Sequence, residues 1–285
     1  ANFLLMAIGY DKDLALTDYL LSKGLKLTDV DTNGNTVFDY AARTGNVDIL
    51  KQLQKRGAKS TNKALIFSSD CTRSDANNMV FYKYLVEDLK LNPKSTGDNG
   101  ENVLHNLVGK KDQAENIAYF MSLGVDVNQT TKEGNTVLME AAKGADVEMI
   151  NTILSKTKNI NQKNNKGMSA LSFAVNNGSA SVISHLVKNN ADVQVKDNAG
   201  NNLAFYLIQS YRPIRPNQKD DFSDKIKVLT DSGLNFKEAQ KDGSTILHLA
   251  VAKNDLKLLE KLEAFQINVN AVNEEEMTAL HKAAL

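Results

Sequence analysis

The chain is poor in the residues that usually mark a chemistry. It holds one cysteine, Cys71, no tryptophan and three prolines in 285 residues, and its 34 Lys and Arg balance 34 Asp and Glu. One thiol excludes an internal disulfide framework and a cysteine-based zinc site. Cys71 lies in a polar stretch with no base beside it in sequence, which marks an inert thiol. A formal charge of zero gives no bulk attraction to nucleic acid or to an anionic membrane. The uncharged run Ala199 to Tyr211 falls short of the ~18 apolar residues of a membrane span and carries polar Asn, Gln and Ser, so no membrane insertion is expected. The apolar opening, Phe3 to Ile8, lacks the basic flank of a signal sequence and reads as a buried helix. These features favour a soluble protein, the cytoplasm slightly over the periplasm or secretion. Scarce proline predicts short, regular connections, and 42% hydrophobic with 24% charged residues suits a packed core. The Lys- and Asn-rich, Trp-free composition is compatible with an AT-rich bacterial genome.

What the chain does have is a period. Gly34, Gly100, Gly134, Gly167, Gly200 and Gly243 are spaced by 66, 34, 33, 33 and 43 residues, and a further step of 33 reaches Glu276. Each glycine permits a turn with positive φ. Two residues later stands a helix-capping side chain in every register: Thr36, Asn102, Thr136, Ser169, Asn202, Thr245 and Thr278. An apolar helical pattern follows, such as Val37, Phe38, Ala41 and Ala42, and then a second one, such as Val47, Ile49, Leu50 and Leu53. The spacing therefore predicts a turn plus two short helices per unit.

The segments Thr245-Ile-Leu-His-Leu-Ala-Val and Thr278-Ala-Leu-His-Lys-Ala-Ala, with closing turns such as Gly124-Val-Asp-Val-Asn, resemble the ankyrin repeat. The proline that this family places after the Thr is missing throughout, replaced by Val37, Val103, Val137, Ala170, Leu203, Ile246 and Ala279. The resemblance covers essentially the whole chain and implies an all-α solenoid of helix-turn-helix units with β-turn or hairpin loops. It implies a single repeat domain of nine units over about 1–29, 31–58, 59–95, 97–128, 131–161, 164–194, 197–237, 240–270 and 273–285. His105, His248 and His281 recur three residues after the cap, where the family uses histidine to brace adjacent turns, so they belong to the scaffold. The terminal units look unfinished, with Leu280, Ala283, Ala284 and Leu285 half covered. The expectation is a piece of a longer repeat protein, or an end that docks.

Two units break the pattern. The third has a first helix from Asn62 to Phe67, a polar stretch from Ser68 to Asn78, and a second helix from Met79 to Leu91. The seventh carries ten extra residues, Arg212 to Asp221, including Pro213 and Pro216. Two arginines and Ile214 on a proline-stiffened loop suit a specificity element, although a loop of this length is also tolerated as a plain insertion.

No His-Glu-x-x-His, Cys-x-x-Cys or Gly-rich phosphate-loop motif occurs, so no catalytic residue, metal or cofactor is expected. The resemblance implies binding at the turn tips and the solvent end of each first helix. By position these are Thr32, Asn33, Asn35 and Arg43; Asp98, Asn99 and Glu101; Lys132, Glu133, Asn135 and Lys143; Lys166, Met168, Asn176 and Asn177; Asn198; Lys241 and Asp242; with Arg212, Ile214 and Arg215 from the insertion. This strip is amide-rich and mixed in sign, without the cationic and aromatic stripe of a single-strand nucleic-acid binder. The expected partner is a protein or peptide, bound by a monomer or by part of a longer chain. The alternative is a structural or regulatory arm of a larger polypeptide, enzymatic or effector.

Overall fold

All seven predicted caps stand at the N-terminus of a helix. Thr36, Asn102, Thr136, Ser169, Asn202, Thr245 and Thr278 precede α3 (Val37–Ala41), α7 (Val103–Leu107), α9 (Val137–Ala141), α11 (Ala170–Asn177), α13 (Leu203–Ser210), α15 (Ile246–Val251) and α17 (Ala279–Ala283). Helices this short have no stability alone, so each cap, worth about 1 kcal/mol, matters. In all of them but the Asn202 cap, the residue three positions on returns a bond to the cap's own backbone N–H. Asp39 Oδ2 accepts from Thr36 at 2.9 Å, His105 Nδ1 from Asn102 at 3.2 Å, Ser172 Oγ from Ser169 at 3.3 Å, His248 Nδ1 from Thr245 at 3.0 Å and His281 Nδ1 from Thr278 at 3.1 Å. The histidines thus act within their own caps. His248 also braces the next turn: with Nδ1 accepting, Nε2 carries the proton and donates to the Met277 carbonyl at 3.0 Å.

The computed structural model describes residues 3–71, 78–213 and 220–284, and the chain divides into two units, residues 1–132 and 133–285. In the first unit α1 (Phe3–Ile8), α3, α5 (Lys63–Asp70) and α7 pack in succession. Second helices back this row: α2 (Ala15–Ser22) on α1, α4 (Val47–Lys55) on α3 and α8 (Ala114–Ser122) on α7, with α6 (Met79–Lys83) against α8. In the second unit α9, α11, α13, α15 and α17 form the row. Behind them lie α10 (Val147–Leu154), α12 (Ala180–Lys188), α14 (Asp221–Asp231) and α16 (Leu256–Glu263). No strand occurs among the described residues.

A first helix squeezed between two neighbours and its own partner must be apolar on nearly every side. Helix α13 accordingly buries Leu203 through Ile208 without a break. Second helices show one buried stripe, as in Ile49, Leu50 and Leu53 of α4. Each fully buried Leu, Ile or Phe contributes about 1.5–3 kcal/mol. Tyr82 and Phe120 cross edge to face at 5.0 Å in the first unit, and Phe236 and Phe265 stack at 4.0 Å in the second.

The third repeat departs from expectation. Helix α5 runs on to Asp70, and Ser68 and Ser69 are fully buried, not part of a polar loop. Their hydroxyls donate back to the carbonyls of Leu65 and Ile66 at 2.9 and 3.0 Å, which satisfies them inside the core. The second helix is split, α6 passing into a π-helical turn, Tyr84–Asp88. Leu280 is 77% exposed.

Candidate functional site

The same two backbone bonds close six of the turn tips. At Asp197, for example, its N–H donates to Asn201 O at 3.0 Å and Gly200 N–H donates back to Asp197 O at 3.1 Å. The pattern recurs at Asp31, Gly97, Asn164, Gln240 and Asn273. Where the first residue is acidic, its carboxylate ties the tip to the following helix. Asp197 accepts from the Ala199 and Asn201 amides, from Asn201 Nδ2 at 2.8 Å and from Tyr206 Oη at 2.6 Å. Asp31 repeats this with Asn33, Asn35 and Tyr40. Burial pushes both carboxyls up, but these donors outweigh it and hold them below the ordinary range.

Successive tips are bonded to one another. In the first unit Lys132 N–H donates to Asn99 O at 2.6 Å. In the second unit Asn165 N–H donates to Glu133 O at 2.9 Å, Asn198 N–H to Lys166 O at 3.0 Å and Glu274 N–H to Asp242 O at 2.8 Å, while Lys241 Nζ donates to Asn198 O. In the second unit the predicted residues Glu133, Lys166, Asn198, Lys241 and Asp242 therefore sit on a cross-linked edge, and in the first unit Lys132 is tied to the Asn99 tip.

In the first unit the structure brings four predicted residues together. Arg43, Asp98, Asn99 and Glu101 line a cleft of about 170 Å³ with Lys63, Phe67 and Asp70. Arg43 Nη2 pairs with Asp70 at 3.0 Å, and its guanidinium lies 5.1 Å from the Phe67 ring centre. Lys63 Nζ pairs with Asp98 at 2.6 Å and donates to Asn33 O at 3.1 Å. The Lys63 hydrogen bond holds the Asp98 carboxyl below its ordinary range. Lys63, Phe67 and Asp70 are the residues missed by sequence reasoning. Their spacing of four and then three residues placed them on one face of a single helix, which was the available signal.

The second unit repeats the cation-on-aromatic arrangement: Lys143 Nζ pairs with Glu140 at 2.6 Å and stands 5.0 Å from the Phe173 ring centre. Thr32, Asn177 and Arg212 are exposed, and Met168 and Asn176 are half-buried. Asn35 and Asn135, expected on the open strip, are buried at 3% and 8% exposure. The reason is local: Asn35 Nδ2 donates to Asp31, and Asn135 is tied to Glu140 and to Asn164. Ile214 and Arg215 lie outside the described residues. No described helix is long and apolar enough to cross a membrane.

A family model described as ankyrin repeats (3 copies) matches residues 74–197, and one described as ankyrin repeats (many copies) matches residues 4–53. A comparison with curated proteins finds no match.

Proposed function

Because the chain belongs to the ankyrin-repeat family, whose members generally mediate protein–protein contacts and are typically noncatalytic, we propose that it is a noncatalytic interaction scaffold. It binds a protein or peptide along its turn tips and first-helix ends. The observation that carries the reading is the cleft of Arg43, Asp98, Asn99 and Glu101. Its two ion pairs are internal but half open, with Asp70 and Asp98 side chains 60% and 42% exposed, so both signs of charge stand pre-oriented toward an arriving chain. Phe67 at the base supplies an apolar contact beside them. The histidines agree with this role, since their Nδ1 atoms accept backbone N–H bonds in caps.

The test is selection of peptides from a displayed library on the full chain, followed by affinity measurement. Binders should weaken about tenfold or more on Arg43→Ala or Asp98→Ala, with far-UV circular dichroism unchanged. Binders indifferent to both substitutions and to Lys143→Ala would overturn the assignment of the face.

A further inference from the structure

Two cations in the second unit converge where, among the described residues, no acidic side chain pairs with them. Helix α13 ends at Ser210, and its last turn offers unsatisfied carbonyls. Lys253 Nζ donates to Gln209 O at 2.8 Å, and Arg212 Nη1 reaches the same oxygen at 3.5 Å and Tyr211 O at 2.8 Å. Sharing one oxygen puts the two cationic nitrogens no more than about 6 Å apart. The negative end of a helix is equivalent to about half a charge, so it draws both groups in without neutralising them.

The carboxylates of the surrounding elements are committed elsewhere. Asp255 accepts from Tyr211 Oη at 2.8 Å and caps α16 through the Lys257 and Leu258 amides. Asp220 pairs with Lys261 at 2.8 Å, and Asp221 lies 3.4 Å from the buried Lys225. Among the described residues neither Arg212 nor Lys253 has an acidic side chain within ion-pair distance. Burial and the nearby Arg212 both push the Lys253 ammonium below its ordinary value. Arg212 is exposed and Lys253 half-buried, so a ligand can reach both.

We propose that Arg212 and Lys253, held side by side on the C-terminal carbonyls of α13, form a carboxylate-binding subsite for an acidic segment of the partner protein. This rests on the interaction-scaffold reading and adds the chemistry of the partner at this point of the surface. One carboxylate between the two nitrogens relieves their mutual repulsion and takes a charge-assisted hydrogen bond from each. The shared tether to Gln209 O keeps the pair together before the ligand arrives, which lowers the ordering cost of binding.

The experiment is fluorescence anisotropy on the full chain with a labelled peptide carrying four consecutive glutamates and with its glutamine counterpart. The glutamate peptide should bind at least about tenfold more tightly, and Arg212→Gln and Lys253→Gln should each erase most of that preference. Lys257→Gln, removing an exposed cation on α16, should leave it unchanged. Equal loss in the Lys257 variant would reveal unspecific attraction and overturn the subsite. Saturable binding of millimolar inorganic phosphate, lost in both variants, with no response to the glutamate peptide would assign the pair to phosphate and overturn the acidic-peptide reading. If the glutamate peptide fails while library-selected peptides still depend on Arg43, the subsite falls and the scaffold reading stands. If neither peptide binds, both fall.

Discussion

Replacing Gly167 by Ala tests how far one turn supports the next. Gly167 has φ +82°, and a Cβ there would lie 2.7 Å from Asn198 Oδ1, 2.8 Å from Asn198 N and 2.9 Å from Asp197 Cα. Two of these are backbone atoms that the Asn198–Lys166 bond and the Asp197 carboxylate network hold in place. Gly233, in the same unit, has φ +83° and nothing within 4 Å of its would-be Cβ. The two alanine variants therefore share the same left-handed strain, about 1–2 kcal/mol, and the same offset of about 0.4–1 kcal/mol from a stiffer unfolded chain. Gly233→Ala should cost about 1 kcal/mol. Gly167→Ala adds overpacking of about 1–3 kcal/mol and loss of one inter-turn hydrogen bond, about 1 kcal/mol, for a total of about 3–5 kcal/mol. Urea unfolding followed by far-UV circular dichroism measures both, with midpoint and slope compared because repeat arrays can unfold in parts. Hydrogen exchange at the Asn198 amide should accelerate in the Gly167 variant alone. Equal destabilisation by the two substitutions, within about 0.5 kcal/mol, would refute the claim that tips are packed supports for their neighbours.

Acid should weaken the second unit through Asp220. Burial raises its carboxyl, but Lys261 and Ser223 outweigh this and hold it at about 2. The folded value lies below the unfolded one, about 3.9, so the stabilisation is complete above that value and is lost as pH falls through about 2. Asp220→Asn should lower the urea midpoint at pH 7 and converge on the parent near pH 2. Glu276 occupies the turn position that is glycine in six other registers, at φ +57°, so Glu276→Gly should relieve strain and stabilise by about 0.5–1 kcal/mol in the same assay. His248→Ala removes both the bond from the Thr245 amide and the donation to Met277 O. A loss of about 1–3 kcal/mol is expected, with faster amide exchange at Thr245.

How much of the site was legible depends on how far apart its partners lie in the chain. The caps and the residue three positions on interact within one helical turn, so residue type at a fixed spacing was enough to find them. Even there the slot holds Asp39 and Ser172 as well as histidine, because any acceptor of the right reach can return the bond. Arg43 was legible as a candidate, but its ion pair is with Asp70, 27 residues on, and Lys63 reaches Asp98 across 35. Asn35 and Asn135 looked like open tip residues because burial depends on what the next turn covers. Ser68 and Ser69 looked like loop because their hydroxyls are satisfied by carbonyls of their own helix.

From its sequence alone the protein was determined to be a run of capped helical hairpins with polar tips, since glycine, cap and apolar period are local requirements of each unit. Only the tertiary structure decided which tip side chains are spent on holding the stack, which ones gather into the Arg43 cleft, and that Arg212 and Lys253 meet at the end of one helix. Those outcomes depend on the stacking distance between repeats. That distance brings residues about one period apart into contact and is set by the packing of buried side chains.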